Sequence, residues 1–162
     1  MAIGPHATSE LNVLESHSEH GQVGDRLVVH VVMPKGSLVT QDIDEVIAPG
    51  SEGELGVLPG HIPFLTALKP GVLTIRHGTD KQIFAVGPGF LQVGSGRATI
   101  LVEMAERAAE IDVAKARADK AEAEEQLLVP PASGPGAVSL AHENLAWAQA
   151  RLDAVAATTG EK

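Results

Sequence analysis

Between Arg26 and about Val102, apolar positions come in short runs rich in β-branched residues, each broken by Gly or Pro. The runs at residues 27–33, 38–48, 55–58, 72–76, 82–86, 90–93 and 98–102 predict strands. Pro34-Lys35-Gly36, Lys69-Pro70-Gly71, His77-Gly78-Thr79-Asp80, Gly87-Pro88-Gly89 and Gly94-Ser95-Gly96 read as hairpin turns or loops between them. Many short strands with frequent turns imply a sandwich or barrel. Residues 27–32 are apolar on both faces except at His30, which predicts a strand covered on both sides. His30 then reads as a core histidine with a satisfied partner, because no second His or carboxylate lies at metal-ligand spacing.

Past Glu103 the period changes. Residues 105–128 hold eight alanines and no Gly or Pro, and alanine is the strongest intrinsic helix former. Counted at helical spacing, Met104, Ala108, Ile111, Ala114, Ala118, Ala121 and Leu128 predict the buried side, with Glu125 interrupting it. Glu103/Arg107, Lys115/Asp119 and Lys120/Glu124 are spaced to pair along the helix. The Pro- and Gly-rich stretch at 129–136 forbids continuation, and Ser139 is placed to cap a second helix reaching about Ala157. Its apolar side would carry Ala141, Leu145, Ala148, Leu152 and Val155. Two helices joined by a short loop form an antiparallel hairpin. The stripes are mostly alanine, so the two helices bury little area on meeting. Such a pair is suited either to exchanging its partner surface or to close, static packing.

Composition removes several function classes. The net charge is −9 over 162 residues, and the only aromatics are three Phe and one Trp. There is neither a basic surface for phosphates nor a set of stacking platforms for bases, so nucleic acid is not the expected partner. With no cysteine, a thiolate zinc site or disulfide framework is impossible. No apolar run reaches the ~18 residues of a spanning helix. Residues 1–25 are polar and without sustained periodicity, which predicts a mobile tail, and His17 and His20 within it lack the second pair that a metal site would need. Gly87-Pro88-Gly89 and Gly94-Ser95-Gly96 each lack the third glycine and the following helix of a dinucleotide loop.

The densest punctuation lies at residues 50–64, where Gly50, Gly53, Gly56, Gly60, Pro59 and Pro63 fix the backbone without any catalytic grouping beside them. A rigid segment without chemistry is suited to presenting a surface. From Gly50 through Thr66 and on through Leu68-Lys69-Pro70-Gly71, the sequence resembles the signature of the ε subunit of bacterial F-type ATP synthases. Gly89-Phe90-Leu91-Gln92-Val93, Ala98-Thr99-Ile100-Leu101-Val102, Ile111-Asp112 and Ala150-Arg151-Leu152 extend the likeness, so that it spans about Leu27 to Val155.

That resemblance implies a β + α protein: a flattened N-terminal β-sandwich at 26–103, followed by a C-terminal antiparallel helical hairpin at 104–162. It implies a non-catalytic rotor subunit of the central stalk, coupling the c ring to the gamma subunit, peripheral on the cytoplasmic face of the bacterial inner membrane. The competing reading is a stand-alone β-sandwich binding module outside any ATP synthase. By the same resemblance Glu54 faces the polar loops of the c ring, and His61, with Pro59 and Gly60, lies at the gamma and ring interface. The hairpin would reach the alpha/beta head and inhibit ATP hydrolysis.

Some members also bind ATP as a regulatory ligand, through positions that fall here on Glu106, Ile111, Asp112, Lys115 and Arg151. In this chain Lys115 replaces an arginine of that motif, and Glu122 and Trp147 stand where such members carry arginines. Lysine lacks the planar fork that grips a phosphate with two bonds, and a glutamate repels it. No cofactor is therefore expected. Arg151 is the only Lys or Arg between Ser139 and Ala157, so attraction to an acidic head, and with it inhibition, is expected to be mild.

Overall fold

The computed structural model describes residues 26–129 and 135–160. Ten strands come first: β1 (Leu27–Met33), β2 (Gly36–Ile43), β3 (Glu45–Gly50), β4 (Gly53–Val57), β5 (Phe64–Leu68), β6 (Gly71–His77), β7 (Asp80–Val86), β8 (Gly89–Gly94), β9 (Arg97–Val102) and β10 (Ala105–Arg107). A 3-10 turn at Ala108–Glu110 leads to α1 (Val113–Leu128), and α2 (Pro135–Thr159) follows. The strands lie in the order β10-β7-β6-β3-β5-β8-β9-β1-β2, with β4 beside β3. Between β3 and β5 the ladder narrows to the single pair Gly50↔Leu68, so the sheet folds there into two layers. All pairings are antiparallel except β1 with β9.

The inner faces of both layers form one core. Val46 of β3, Leu73 and Ile75 of β6 and Phe84 and Val86 of β7 in one layer, and Leu91 of β8, Ile100 of β9 and Val29 and Val31 of β1 in the other, are all buried. The two ends of the strand order are tied together by side chains. Gln82 Nε2 on β7 donates to Gln41 Oε1 on β2 at 3.1 Å, and Arg107 NH1 on β10 donates to Gln82 Oε1 at 3.1 Å. The Arg107 guanidinium also lies 4.9 Å from the centroid of the buried Phe84 ring. Hydrogen bonds to charged groups and cation–π contacts together place the expected cost of Arg107→Ala at about 2 kcal/mol, to be read as a lower urea midpoint at unchanged slope.

Four sequence expectations are corrected here. First, β1 is not covered on both sides: Val28, His30 and Val32 are only half-buried, and His30 faces outward between Thr40 and Thr99 rather than into the core. Second, residues 38–48 are two strands, because the chain turns at Asp44 between β2 and β3. Third, β5 is an additional strand, paired along its length with β8. Fourth, Gly87-Pro88-Gly89 is not a hairpin turn: β7 does not pair with β8, and the segment carries the chain between layers, as the turn at Lys69-Pro70-Gly71 does between β5 and β6. The segments 34–35, 78–79 and 95–96 do close hairpins.

Helix α1 begins eight residues later than expected. Ala105-Glu106-Arg107 instead pairs with Val86-Ala85-Phe84, because an open β7 edge satisfies its backbone and Phe84 receives the Arg107 side chain. The Glu103/Arg107 pair consequently does not form along a helix, whereas Lys115–Asp119 and Lys120–Glu124 do pair, at 3.1 and 3.8 Å. The non-helical stretch also shifts the helical phase. Ala116 and Ala123 are buried, while Ala114, Ala118, Ala121 and Leu128 face solvent. Helix α2 starts at Pro135, whose missing N–H costs nothing in the first turn. Ser139 is therefore inside the helix, donating to Glu143 Oε1 at 3.3 Å, and caps nothing.

The α2 stripe is as expected: Ala141 and Ala148 are buried, and Leu145, Leu152 and Val155 half-buried. Helix α2 lies between α1 and the outer face of β6 and β7, where Ile83 and Ala85 pack with Ile111, Ala116, Ala150 and Ala154. Small side chains let the three layers approach closely. Helix α1 meets α2 in antiparallel order, since Asp119 reaches Arg151 while Ala123 and Gln126 lie by Trp147 and Asn144.

Candidate functional site

The segment 50–64 starts in a tight β3–β4 connection in which Gly50 pairs with Gly53. A Cβ on Gly50 would come 2.6 Å from the Gly53 carbonyl oxygen and 2.7 Å from Leu55 Cδ2, so only glycine fits. Glu54 sits opposite Pro49 on β4 with its side chain exposed, and β4 pairs with β3 alone. The strand runs into a turn at Leu58-Pro59-Gly60-His61, closed by a hydrogen bond of 3.2 Å from the His61 N–H to the Leu58 carbonyl oxygen. Proline fixes φ at the second position, and Gly60 supplies the φ of 81° needed at the third. His61 is exposed. Its Nδ1 lies 3.1 Å from the Ile62 carbonyl oxygen and its ring centroid 4.9 Å from that of Phe64. Pro59, Gly60 and His61 thus share one turn, with Glu54 on the strand that feeds it.

Beyond this turn lies an apolar surface. Ile62 is 74% exposed, Leu65 68% and Phe90 54%. The register places Ala67, Phe90, Leu101 and Val32 side by side across β5, β8, β9 and β1, on the outer face of their layer. A groove of about 600 Å³ runs along this row, bounded by Met33, Pro34, Pro88 and Glu103. A contiguous row of large apolar side chains facing water marks a protein contact more often than a chemical site. The row was legible only in part. In Phe90-Leu91-Gln92-Val93, adjacent apolar residues in one strand mean that one of them faces out, but the sequence does not say whether that face is covered.

The second locus joins the sandwich to the hairpin. Asp112 caps α1, accepting from the Lys115 N–H at 3.0 Å, and Ile111 is buried beneath α2. Arg151 of α2, 6% exposed, donates through Nε to Glu106 of β10 at 3.1 Å and through NH1 to Asp119 of α1 at 2.8 Å. Lys115 Nζ reaches the same Asp119 carboxylate at 3.1 Å. Glu106, Lys115 and Arg151 are therefore brought into one ion cluster, whereas Asp112 and Ile111 hold the helix start. Asp119, absent from the sequence-based set, sits at the centre of the cluster. A cleft of about 230 Å³ opens beside it, lined by Glu122, Gln126, Asn144 and Trp147.

The Lys115 ammonium, and after it the Arg151 guanidinium, hold the Asp119 carboxyl below its usual range against the opposing effect of partial burial. A carboxyl whose folded pKa lies below its unfolded value stabilises the fold above the unfolded value of about 4 and ceases to as pH falls through the folded one. Helix content at 222 nm is thus expected to fall below about pH 4 in the parent chain. Asp119→Asn should lose this part of the acid sensitivity, as acid titration by circular dichroism would show.

Among the described residues no group of three or more His, Cys, Asp or Glu side chains is placed to hold a metal ion, and no helix is long and apolar enough to cross a membrane. These features define a two-layer β-sandwich with a docked helical hairpin, offering a rigid turn and an apolar face to a partner.

Comparison with known proteins gives this architecture its family. Residues 26–108 match the family described as ATP synthase, Delta/Epsilon chain, beta-sandwich domain. The chain is 46% identical over 99 residues to the ATP synthase epsilon chain of Anoxybacillus flavithermus, covering 61% of this chain and 74% of that one. It is 44% identical over 97 residues to that of Desulforamulus reducens, covering 60% and 74%. Among solved structures, a chain of the Euglena gracilis mitochondrial ATP synthase shares the fold with a TM-score of 0.69 at 21% identity, over 82% of this chain and 81% of that one. The protein belongs to the delta/epsilon chain family of ATP synthases.

Proposed function

We propose that this chain is a non-catalytic subunit of the central stalk of an F-type ATP synthase. In this reading the sandwich seats on the c ring and the gamma subunit, peripheral to the cytoplasmic face of the bacterial inner membrane, and transmits torque between them. The observation that carries it is the family match over residues 26–108, the same residues that form the stiff turn and the apolar face. A part that transmits torque must not deform, and the glycine-locked β3–β4 connection and Pro59-Gly60 turn fix Glu54 and His61 on a closed scaffold. Glu54 offers a carboxylate to polar loops of the ring, and the row Ala67, Phe90, Leu101 and Val32 offers an apolar seat to gamma. Affinity purification of the tagged chain from native membranes tests this. Recovery with gamma and c subunits is expected; recovery without either would favour a stand-alone binding module.

The hairpin is assigned a regulatory contact with the alpha/beta head. Its second helix presents little positive charge, since Arg151 is turned inward against two carboxylates. Inhibition of ATP hydrolysis is accordingly mild. Removing residues 130–162 is expected to raise hydrolysis by the assembled complex by no more than about twofold, in line with weak, screened surface charge. A rise of many-fold in a coupled hydrolysis assay would show that the hairpin acts through other contacts.

A further inference from the structure

Arg151 and Lys115 come from different helices yet converge on one oxygen, Asp119 Oδ2, at 2.8 and 3.1 Å. An oxyanion ligand entering between the helices at this point would compete for these same two cations. Asp119 already fills that place, one helical turn beyond Lys115 on the same helix, so it competes as a tethered group that is always present. The cluster is also balanced. Glu106 and Asp119 carry two negative charges, Lys115 and Arg151 two positive ones, and no buried side-chain polar atom among the described residues lacks a partner. Glu122 lines the interhelical cleft beside it, which makes that approach repulsive to a phosphate.

The arrangement spans three elements. Glu106 belongs to β10 of the sheet, Asp119 to α1 and Arg151 to α2. The alanine-rich contacts around it bury little area per residue, and the Arg151–Glu106 bond adds a polar link from α2 to the sandwich. Arg151 is almost wholly removed from water, and a desolvated cation that loses a partner is costly to keep buried.

We propose that Asp119 acts as a built-in anion: by occupying the convergence point of Lys115 and Arg151 it clasps α1 to α2 and holds Arg151 where Glu106 of β10 ties it to the sandwich, without a nucleotide or any other oxyanion ligand. The docked state is then set by the chain itself and does not respond to phosphate-bearing ligands.

Hydrogen exchange on the full-length chain tests both halves of this. In the parent chain, millimolar ATP or inorganic phosphate is expected to leave exchange of the α1 and α2 amides unchanged. In Asp119→Ala those amides should exchange about tenfold faster while the amides of β1, β6 and β8 keep their rates. Asp119→Asn, which keeps the shape of the side chain but not its charge, should shift exchange in the same direction and guards against a packing defect in the alanine variant. Slower helix exchange in the parent chain on adding ATP or phosphate would overturn the proposal, as would parental exchange rates in both variants.

Discussion

Replacing Phe90 and Leu101 together by glutamate is expected to weaken association with the partner subunits of the stalk by about a hundredfold or more, while leaving the isolated chain as stable as before. The two side chains are neighbours in the β8–β9 register and are 54% and 46% exposed in the free chain. Neither contributes to the core, so surface substitution there should cost within about 0.5 kcal/mol of stability. In a complex the same positions would lie at the centre of an apolar contact flanked by Ala67 and Val32. Loss of a central aromatic anchor commonly costs about 2 kcal/mol or more, and two desolvated carboxylates add to it. Each factor of ten corresponds to about 1.4 kcal/mol, so a hundredfold loss is a modest expectation. Binding titrations against purified gamma subunit, paired with thermal melts of the variant, check it. Parental affinity would show that this row is not the seat proposed for gamma.

Gly89→Ala is expected to destabilise the sandwich by about 3 kcal/mol or more, the upper range for forcing extra volume into a packed interior. Gly89 opens β8 after the crossing from one layer to the other, and it is paired on both sides, with Leu68 of β5 and Val102 of β9. A Cβ there would overlap the Leu101 carbonyl oxygen and crowd Val102 Cα. These are backbone atoms within a ladder, so neither can withdraw without breaking sheet hydrogen bonds. Gly94→Ala at the other end of β8 is the internal comparison, because its nearest neighbour would be Pro63 Cβ at 3.9 Å. That variant should lose no more than about 1 kcal/mol, within the ordinary range for a half-buried strand end with room for a methyl group. Urea denaturation of the two variants side by side decides the matter, and equal midpoints would contradict the packing argument.

Local chemistry explains what could be read before the fold was known. Short β-branched runs, turn residues and alanine density depend on neighbours in the chain, so they announced a strand-rich domain followed by two helices, together with the fixed path of residues 50–64. The family signature lies in the same local segment. Misreadings arose wherever a distant partner competed with a local preference. Ala105-Glu106-Arg107 has helical composition, yet an open β7 edge and the Phe84 ring drew it into the sheet, and the phase of the α1 stripe was lost with it. Gly87-Pro88-Gly89 looks like any hairpin turn, but which strands flank it in space is a matter of sheet order.

The chain by itself determined most of the element types, the glycine and proline positions that fix the Gly60 turn, and the scarcity of positive charge on α2. Only the tertiary structure decided that Phe90 and Leu101 share a row, because strand register joins residues eleven apart in sequence. It alone also placed Asp119 between Lys115 and Arg151, since that meeting requires α2 to fold back between α1 and the sheet. Periodicity states which way a side chain points from its own backbone; what stands opposite is set by the packing of the whole.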